Sequence, residues 1–76
     1  MFNQISRDEL ARLKERYPQG TRVVLVQMSD IQAPPPGTKG TVLAVDDIGT
    51  IHVKWDNGST LGVAYGEDRC SVVGGA

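Results

Sequence analysis

The chain has 76 residues, a formal net charge of −1 at pH 7 and one cysteine. A chain of this length is expected to form one domain with a small core, so residues 1–76 are predicted to be a single domain. The near-neutral charge argues against a general nucleic-acid binder, and one cysteine excludes both an intramolecular disulfide and a cysteine-rich zinc site. Apolar residues make up 39% and aromatic residues 5% of the chain, so the core must consist mainly of Val, Leu and Ile around one Trp.

An N-terminal helix is predicted over residues 5–17. Ser6 and Glu9 have the spacing of a capping box, and the following apolar residues, which include Leu13 and Tyr17, recur at helical spacing. A proline directly after Tyr17 ends the pattern. Because so short a helix is marginal by itself, we expect its apolar stripe to dock on the rest of the domain.

Residues 20–73 predict a β domain of five short strands, followed by a tail at residues 74–76. The apolar run Val23–Val26 favours burial of the first strand on both faces, and Gly40 in the second strand indicates a bulge or a close backbone approach. No internal repeat is evident. A helix followed by five short strands, with a long first loop and two tight hairpins, is typical of an SH3-like barrel. The predicted fold class is therefore mainly β: a small five-stranded SH3-like barrel with one N-terminal α-helix.

The strongest local signal is Asp56-Asn57-Gly58, which separates two segments of alternating apolar residues. Asn-Gly in this position predicts a hairpin with a type I′ turn, and the Asp56 side chain is expected to cap backbone amides of that turn. Trp55 alternates with apolar residues of the preceding strand, which predicts a core position. His52 and Lys54 are predicted to lie on the opposite, outer face of that strand.

Several segments between Tyr17 and Val73 have a specific spacing. They are Tyr17-Pro18-x-Gly20-Thr21-Arg22-Val23, Met28-x-Asp30, Pro34-Pro35-Pro36-Gly37-Thr38-x-Gly40-Thr41-Val42, Val45-Asp46-Asp47-x-Gly49-Thr50-Ile51-His52-Val53-x-Trp55-Asp56-Asn57-Gly58-Ser59-Thr60-Leu61-Gly62 and Asp68-Arg69. Together they resemble the DUF4314 family of small bacterial and phage proteins, whose function is unknown. The hairpin around Trp55 also resembles that of the Mib/HERC2 domain and other SH3-like modules, which implies binding of a peptide or protein.

The residues favour binding over catalysis. No phosphate-binding glycine loop, Gly-x-Ser-x-Gly element or metal-ligand pair is present, so we expect no enzyme activity, no cofactor and no metal. The predicted function is a non-catalytic binding module for a protein or peptide partner. The binding surface is expected where the proline loop meets the turn at residues 46–49 and the outer face of the third strand. The candidate contacts are Met28, Asp30, Pro35, Asp46, Asp47, His52, Lys54, Tyr65 and Arg69.

Alternatives remain for individual residues and for the function. A structural ion pair with Asp30 or Asp47 explains Arg69 better than a contact to a carboxylate or phosphate of a ligand, and Cys70 is most simply a small buried hydrophobe. A second function is a phage or mobile-element protein that sequesters an anionic, nucleotide-like ligand at an interface between copies, through Lys54, Arg69 and His52. A third, disfavoured by the net charge, is nucleic-acid binding by the cationic helix face, which carries Arg7, Arg12, Lys14 and Arg16.

Location is predicted from what the sequence does not contain. No apolar run approaches the roughly 18–20 residues of a membrane span, and residues 1–16 do not have the pattern of a signal peptide. We therefore expect a cytoplasmic protein with no membrane partner, which forms a homo-oligomer only if its ligand site requires one.

Overall fold

The computed structural model describes residues 5–73 and contains one helix and a sheet of five antiparallel strands. Helix α1 spans Arg7–Arg16, and the strands are β1 (Arg22–Gln27), β2 (Lys39–Val45), β3 (Ile51–Trp55), β4 (Thr60–Val63) and β5 (Arg69–Val72). The prediction of a mainly β fold with five strands and one N-terminal helix is confirmed. The predicted tail at residues 74–76 lies outside the described residues, as do residues 1–4.

The strands follow the order β4-β3-β2-β1-β5 in a single sheet, and every neighbouring pair is antiparallel. The last strand returns to pair with the first, so β4 and β5 form the two edges. Within residues 5–73 no ladder joins these edges. The sheet is therefore open, and the predicted closure into a barrel is not confirmed.

The core lies on one face of this sheet and is centred on Trp55, which is 1% exposed. The indole Nε1 of Trp55 donates a hydrogen bond to the carbonyl oxygen of Leu61 at 3.1 Å, so the polar atom of this buried ring is satisfied. The predicted core position of Trp55 is confirmed. The buried hydrophobic residues are Tyr17, Val23, Leu25, Val42, Ile51, Val53, Trp55 and Val63.

Burial along β1 differs from the prediction. Val23 and Leu25 are buried on the core face, whereas Val24 on the outer face is only partly buried and Val26, at the β-bulge, is 45% exposed. The expected burial on both faces is therefore wrong. Its physical reason is that α1 packs on the same side as the core and leaves the outer face of β1 uncovered.

Helix α1 begins at the predicted cap. The Ser6 hydroxyl oxygen accepts a hydrogen bond from the Glu9 amide at 3.1 Å and donates one to the Glu9 carboxylate at 3.0 Å. The helix ends one residue earlier than predicted, because Tyr17 is its C-cap and donates its amide to the Leu13 carbonyl oxygen. The Tyr17 side chain is buried and Leu13 packs beside it against the core. The apolar stripe thus anchors α1 as expected.

The β3–β4 turn has another geometry than the predicted type I′. Asn57 does not have a positive φ, whereas Gly58 has a φ of 97°. The Gly58 amide donates to the Trp55 carbonyl oxygen at 2.9 Å, and the Trp55 amide donates to Ser59 at 2.8 Å. These bonds define a three-residue loop in which a left-handed glycine follows the turn, the second common hairpin class.

The predicted cap by Asp56 is also wrong. Its carboxylate accepts two hydrogen bonds from the Arg22 guanidinium, at 2.9 and 2.7 Å, because Arg22 at the start of β1 reaches across Thr41 of β2, to which it also donates at 2.9 Å. Asn57 caps the turn instead, with its side-chain oxygen accepting the Ser59 amide at 3.0 Å.

A short repeat precedes both β1 and β2, although no internal repeat was expected from the sequence. Pro18–Thr21 leads into β1 and Pro35–Thr38 into β2, each with the sequence Pro-x-Gly-Thr. In both, the threonine hydroxyl donates to the proline carbonyl oxygen at 2.7 Å, and the glycine has a φ near 94°, at 93° and 95°. Each glycine amide donates to the opposite strand, at 2.8 and 2.7 Å. The two turns therefore help to set the register in which Val23 lies opposite Gly40.

Candidate functional site

The predicted contact residues do not converge on one surface. Pro35 precedes β2 and Asp46 follows it, so the seven residues of the strand separate them by roughly 23 Å at about 3.3 Å per residue. Arg69 begins β5 and His52 lies in β3, with β1 and β2 between these two strands. The expected meeting of the proline loop with the turn at residues 46–49 is therefore wrong.

Asp46 and His52 do meet, at the end of the β2–β3 hairpin. His52 Nε2 lies 2.9 Å from Asp46 Oδ2, and Asp46 Oδ1 accepts the amides of Ile48 and Thr50 at 3.2 and 2.9 Å. Desolvation raises the pKa of Asp46. The hydrogen bonds from His52 and the two amides lower it by a larger amount, so the pKa lies below its usual 3.8. Asp46 is thus an organiser of this turn and also orients His52.

Lys54 and Asp47 lie near this pair and are exposed. Asp47 forms an ion pair with Lys14 at 2.8 Å, which joins the β2–β3 turn to α1. Its carboxylate is 91% exposed, so the pair contributes little stability. Lys54 shares the outer face of β3 with His52, and no acid between Ile5 and Val73 forms a salt bridge with it. We call the surface of His52 and Lys54 the β3 face.

The loop between β1 and β2 is held by two partly or fully buried residues. Met28 packs against the core and Pro34 is buried. Asp30 forms an Asx turn, because its carboxylate accepts the backbone amide two residues later at 2.7 Å. This turn exposes Ile31 almost completely and Pro35 lies at the surface. Asp30 and Met28 therefore have structural roles that explain them without a ligand.

A groove of about 260 Å³ lies between α1 and β5. Its apolar floor consists of Leu13 from α1, the C-cap residue Tyr17 and Val26 from β1, and Tyr65 and Arg69 lie at its rim. The half-buried Cys70 also faces it. We call this the α1–β5 groove, defined by Leu13, Tyr17, Val26, Tyr65, Arg69 and Cys70.

Tyr65 fixes one wall of the groove to the helix. Its hydroxyl donates a hydrogen bond to the Glu9 carboxylate. This bond lowers the pKa of Glu9 and raises the pKa of Tyr65, since it favours the charged carboxylate and the neutral phenol. Tyr65 was predicted as a partner contact; the structure adds a role in holding α1 against the β4–β5 connection.

Asp68 organises the same β4–β5 connection. One of its carboxylate oxygens accepts the Ser29 amide at 3.1 Å and the other accepts the Ala64 amide at 3.0 Å. One side chain therefore connects the end of β4 to the loop that follows β1. The sequence offered no signal for this role, because the two amides lie 39 and 4 residues away along the chain.

Arg69 is exposed and does not form the predicted ion pair. Asp30 is turned toward its own loop and Asp47 binds Lys14. Among the salt bridges of residues 5–73, none involves Arg69. Its guanidinium is therefore available at the rim of the α1–β5 groove.

Cys70 behaves as part of the apolar floor. Burial raises the pKa of its thiol, and burial also raises the pKa of the neighbouring Tyr17 phenol. Both groups are therefore neutral near pH 7. The Tyr17 hydroxyl approaches the Cys70 carbonyl oxygen at 3.5 Å, a long contact. Cys70 was expected to be a small buried hydrophobe; it packs against the core but is only partly buried.

Residues 5–73 contain no group of three or more His, Cys, Asp or Glu side chains placed to hold a metal ion. The helix within the same residues falls short of the length and apolar character that a membrane crossing requires.

The sequence model of the family DUF4314, a domain of unknown function, matches residues 6–73. The chain belongs to the DUF4314 family. The match spans α1 and all five strands of this DUF4314 domain, so the resemblance found in the sequence is confirmed. Comparisons with curated proteins and with solved structures gave no significant match. The likeness of the β3–β4 hairpin to the Mib/HERC2 domain stays a prediction.

Proposed function

We propose that this DUF4314 domain is a non-catalytic binding module for a protein or peptide, and that the α1–β5 groove is its binding surface. The supporting observation is the concave, apolar floor of Leu13, Tyr17 and Val26 beside an edge of the sheet. Apolar grooves with a few polar groups at their rim are typical ligand sites, and β domains commonly bind peptides beside an exposed edge.

The exposed side chain of Val26 provides a hydrophobic driving force for a partner to bind in the groove. Its side chain is 45% exposed in the free protein, and covering apolar area contributes about 25 cal/mol per Å². The walls are fixed before a partner arrives, because Tyr17 is buried in the core and Tyr65 is bonded to Glu9. A preformed groove lowers the ordering cost of binding.

Two of the predicted contacts, Tyr65 and Arg69, line the groove. The others divide between the loop that joins β1 to β2, the β2–β3 turn and the β3 face. The ligand-sequestering alternative requires Lys54 and His52 together with Arg69, which one chain separates by two strands, so it depends on a second copy. Cytoplasmic location and phage or mobile-element origin stay predictions.

A pair of matched variants tests the proposal. Val26 and Leu43 are 45% and 42% exposed, and each lies at a register shift of its ladder, but only Val26 lines the groove. Peptides are selected from a random displayed library on the immobilised domain, and their affinity is measured by fluorescence anisotropy. We expect Val26→Asp to weaken binding by about tenfold and Leu43→Asp to change it less than about twofold.

Three results would overturn the proposal. Equal losses in both variants would show that binding does not depend on the groove, and peptide-induced amide shifts that centre on His52 and Lys54 would place the site on the β3 face. A library that yields no binder would remove the peptide-binding function itself. Native mass spectrometry of protein from its host is the complementary measurement, because a retained small anion on an oligomer would favour the ligand-sequestering alternative.

A further inference from the structure

The outer edge of β5 presents unpaired backbone groups next to the groove. The Val73 amide donates to the Arg22 carbonyl oxygen at 2.9 Å, which sets the phase of the β1–β5 ladder. Along an antiparallel strand, the backbone N–H and C=O groups of successive residues point alternately toward one neighbouring strand and away from it. Ser71, opposite Val24, therefore bonds toward β1, whereas Val72 directs its N–H and C=O away from the sheet.

There is space beside this edge. A second hollow, of about 340 Å³, lies between the last turn of α1 and β5, and it shares Tyr17 and Cys70 with the α1–β5 groove. The long contact from the Tyr17 hydroxyl reaches the Cys70 carbonyl oxygen, so the helix covers that end of the edge. Val72 lines the hollow and is 42% exposed. The edge is thus accessible at Val72.

Two arginines flank this edge, and Glu67 and Asp68 lie beside one of them, Arg69. Arg16 is the one charged side chain among the described residues that line the second hollow, and Arg69 stands at the start of β5. No acid between Ile5 and Val73 forms a salt bridge with either guanidinium. The nearby carboxylate of Asp68 is occupied by two backbone amides, so both arginines offer donors that match a carboxylate.

We propose that an extended, acidic peptide segment adds as a short strand to the outer edge of β5. Its backbone pairs with Val72, an apolar side chain enters the α1–β5 groove, and its carboxylates bind Arg16 and Arg69. Strand addition provides affinity through the main chain and selectivity through pockets for alternate side chains. The inference rests on the proposed function and specifies the partner that the groove accepts.

The first test removes one backbone donor and keeps the strand. Because the Val72 amide faces away from β1, Val72→Pro deletes it without breaking the ladder, as proline is tolerated on edge strands in that orientation. Val72→Thr keeps both the amide and the side-chain shape. With a fluorescein-labelled peptide from the selection, we expect Val72→Pro to weaken binding by about tenfold and Val72→Thr by less than about twofold. Circular dichroism and urea unfolding establish that both variants fold.

A second measurement uses the unaltered protein and does not depend on Val72→Pro folding. Hydrogen exchange of the Val72 amide is measured with and without the selected peptide, and we expect it to slow markedly in the complex. The selected sequences should be enriched in Asp and Glu. Their affinity should fall with added salt, and also in Arg16→Gln and Arg69→Gln.

The outcomes separate this inference from the proposed function. Peptides that bind in a Val26-dependent manner but leave Val72 exchange unchanged, or show no acidic enrichment, overturn strand addition and leave the groove as a binding site. The absence of any peptide binder overturns both. Competition by a single-stranded oligothymidylate at comparable concentration would assign the two arginines to nucleic acid and overturn the acidic-peptide partner.

Discussion

Replacing Gly40 with alanine should destabilise the domain strongly. A Cβ at this position would lie 2.6 Å from Val53 Cγ1, 2.8 Å from Trp55 Cε3 and 2.9 Å from the Lys54 carbonyl oxygen. Val53 and Trp55 are 0% and 1% exposed, so neither side chain has space to withdraw. The Lys54 oxygen belongs to the backbone of β3, which is held in the ladder with β2.

The cost follows from these contacts. Overpacking a closed core costs about 1–3 kcal/mol, and a backbone atom among the contacts favours the upper end, about 3 kcal/mol. A domain of 76 residues is expected to have a free energy of unfolding of about 4–11 kcal/mol. At a urea dependence of about 1 kcal/mol/M, the midpoint of unfolding should fall by about 3 M.

Gly58→Ala is the control for glycine replacement as such. Gly58 has a φ of 97°, but nothing lies within 4 Å of a Cβ there, so the variant carries backbone strain of about 1–2 kcal/mol and no clash. Gly40→Ala should therefore be the less stable of the two. If it unfolds at the same urea concentration as the wild type, or later than Gly58→Ala, the close approach of β2 to β3 is not the constraint we infer.

Three further predictions concern the walls of the groove and the β2–β3 turn. Asp68→Ala should lower the free energy of unfolding by about 2 kcal/mol, because two backbone amides lose their acceptor; a urea midpoint like that of the wild type would contradict this. Tyr65→Phe should speed hydrogen exchange in α1 relative to the sheet, since the bond to Glu9 is lost; unchanged helix exchange would show that the bond does not hold the helix. The pKa of Asp46 is lowered on folding, so its contribution to stability is present above about pH 4 and lost as pH falls through the folded pKa; Asp46→Asn should flatten this acid limb in urea titrations, and an unchanged limb would contradict the role of the His52 bond.

Local signals predicted the elements well. The Ser6 cap, the end of α1 near Tyr17 and the inward position of Trp55 each depend on residues a few positions apart, where capping geometry and side-chain period act directly. The turn at Asn57 shows the limit of such signals. Asn-Gly fits both a two-residue and a three-residue loop, and the choice followed from how the two strands pair.

The candidate site was much less predictable. Residues assigned to the core by their apolar character, such as Leu13 and Val26, also form the floor of the α1–β5 groove, because the helix and β5 leave a gap between them. Arg69 had a plausible ion-pair partner in the sequence, but the strand order keeps it away from Asp47. Both the formation of the groove and the separation of Arg69 from Asp47 depend on residues that are distant in the chain, so local sequence patterns could not predict them.

The sequence by itself determined where the helix and the strands lie and which face of β3 is buried, because caps, turns and side-chain periods act over a few residues. Only the tertiary structure decided that β5 returns to pair with β1, which leaves the sheet open and exposes the Val72 edge beside Arg16. That pairing joins residues almost fifty positions apart, such as Val23 and Val72. It depends on the balance of burial and chain entropy over the whole domain, which no local pattern encodes.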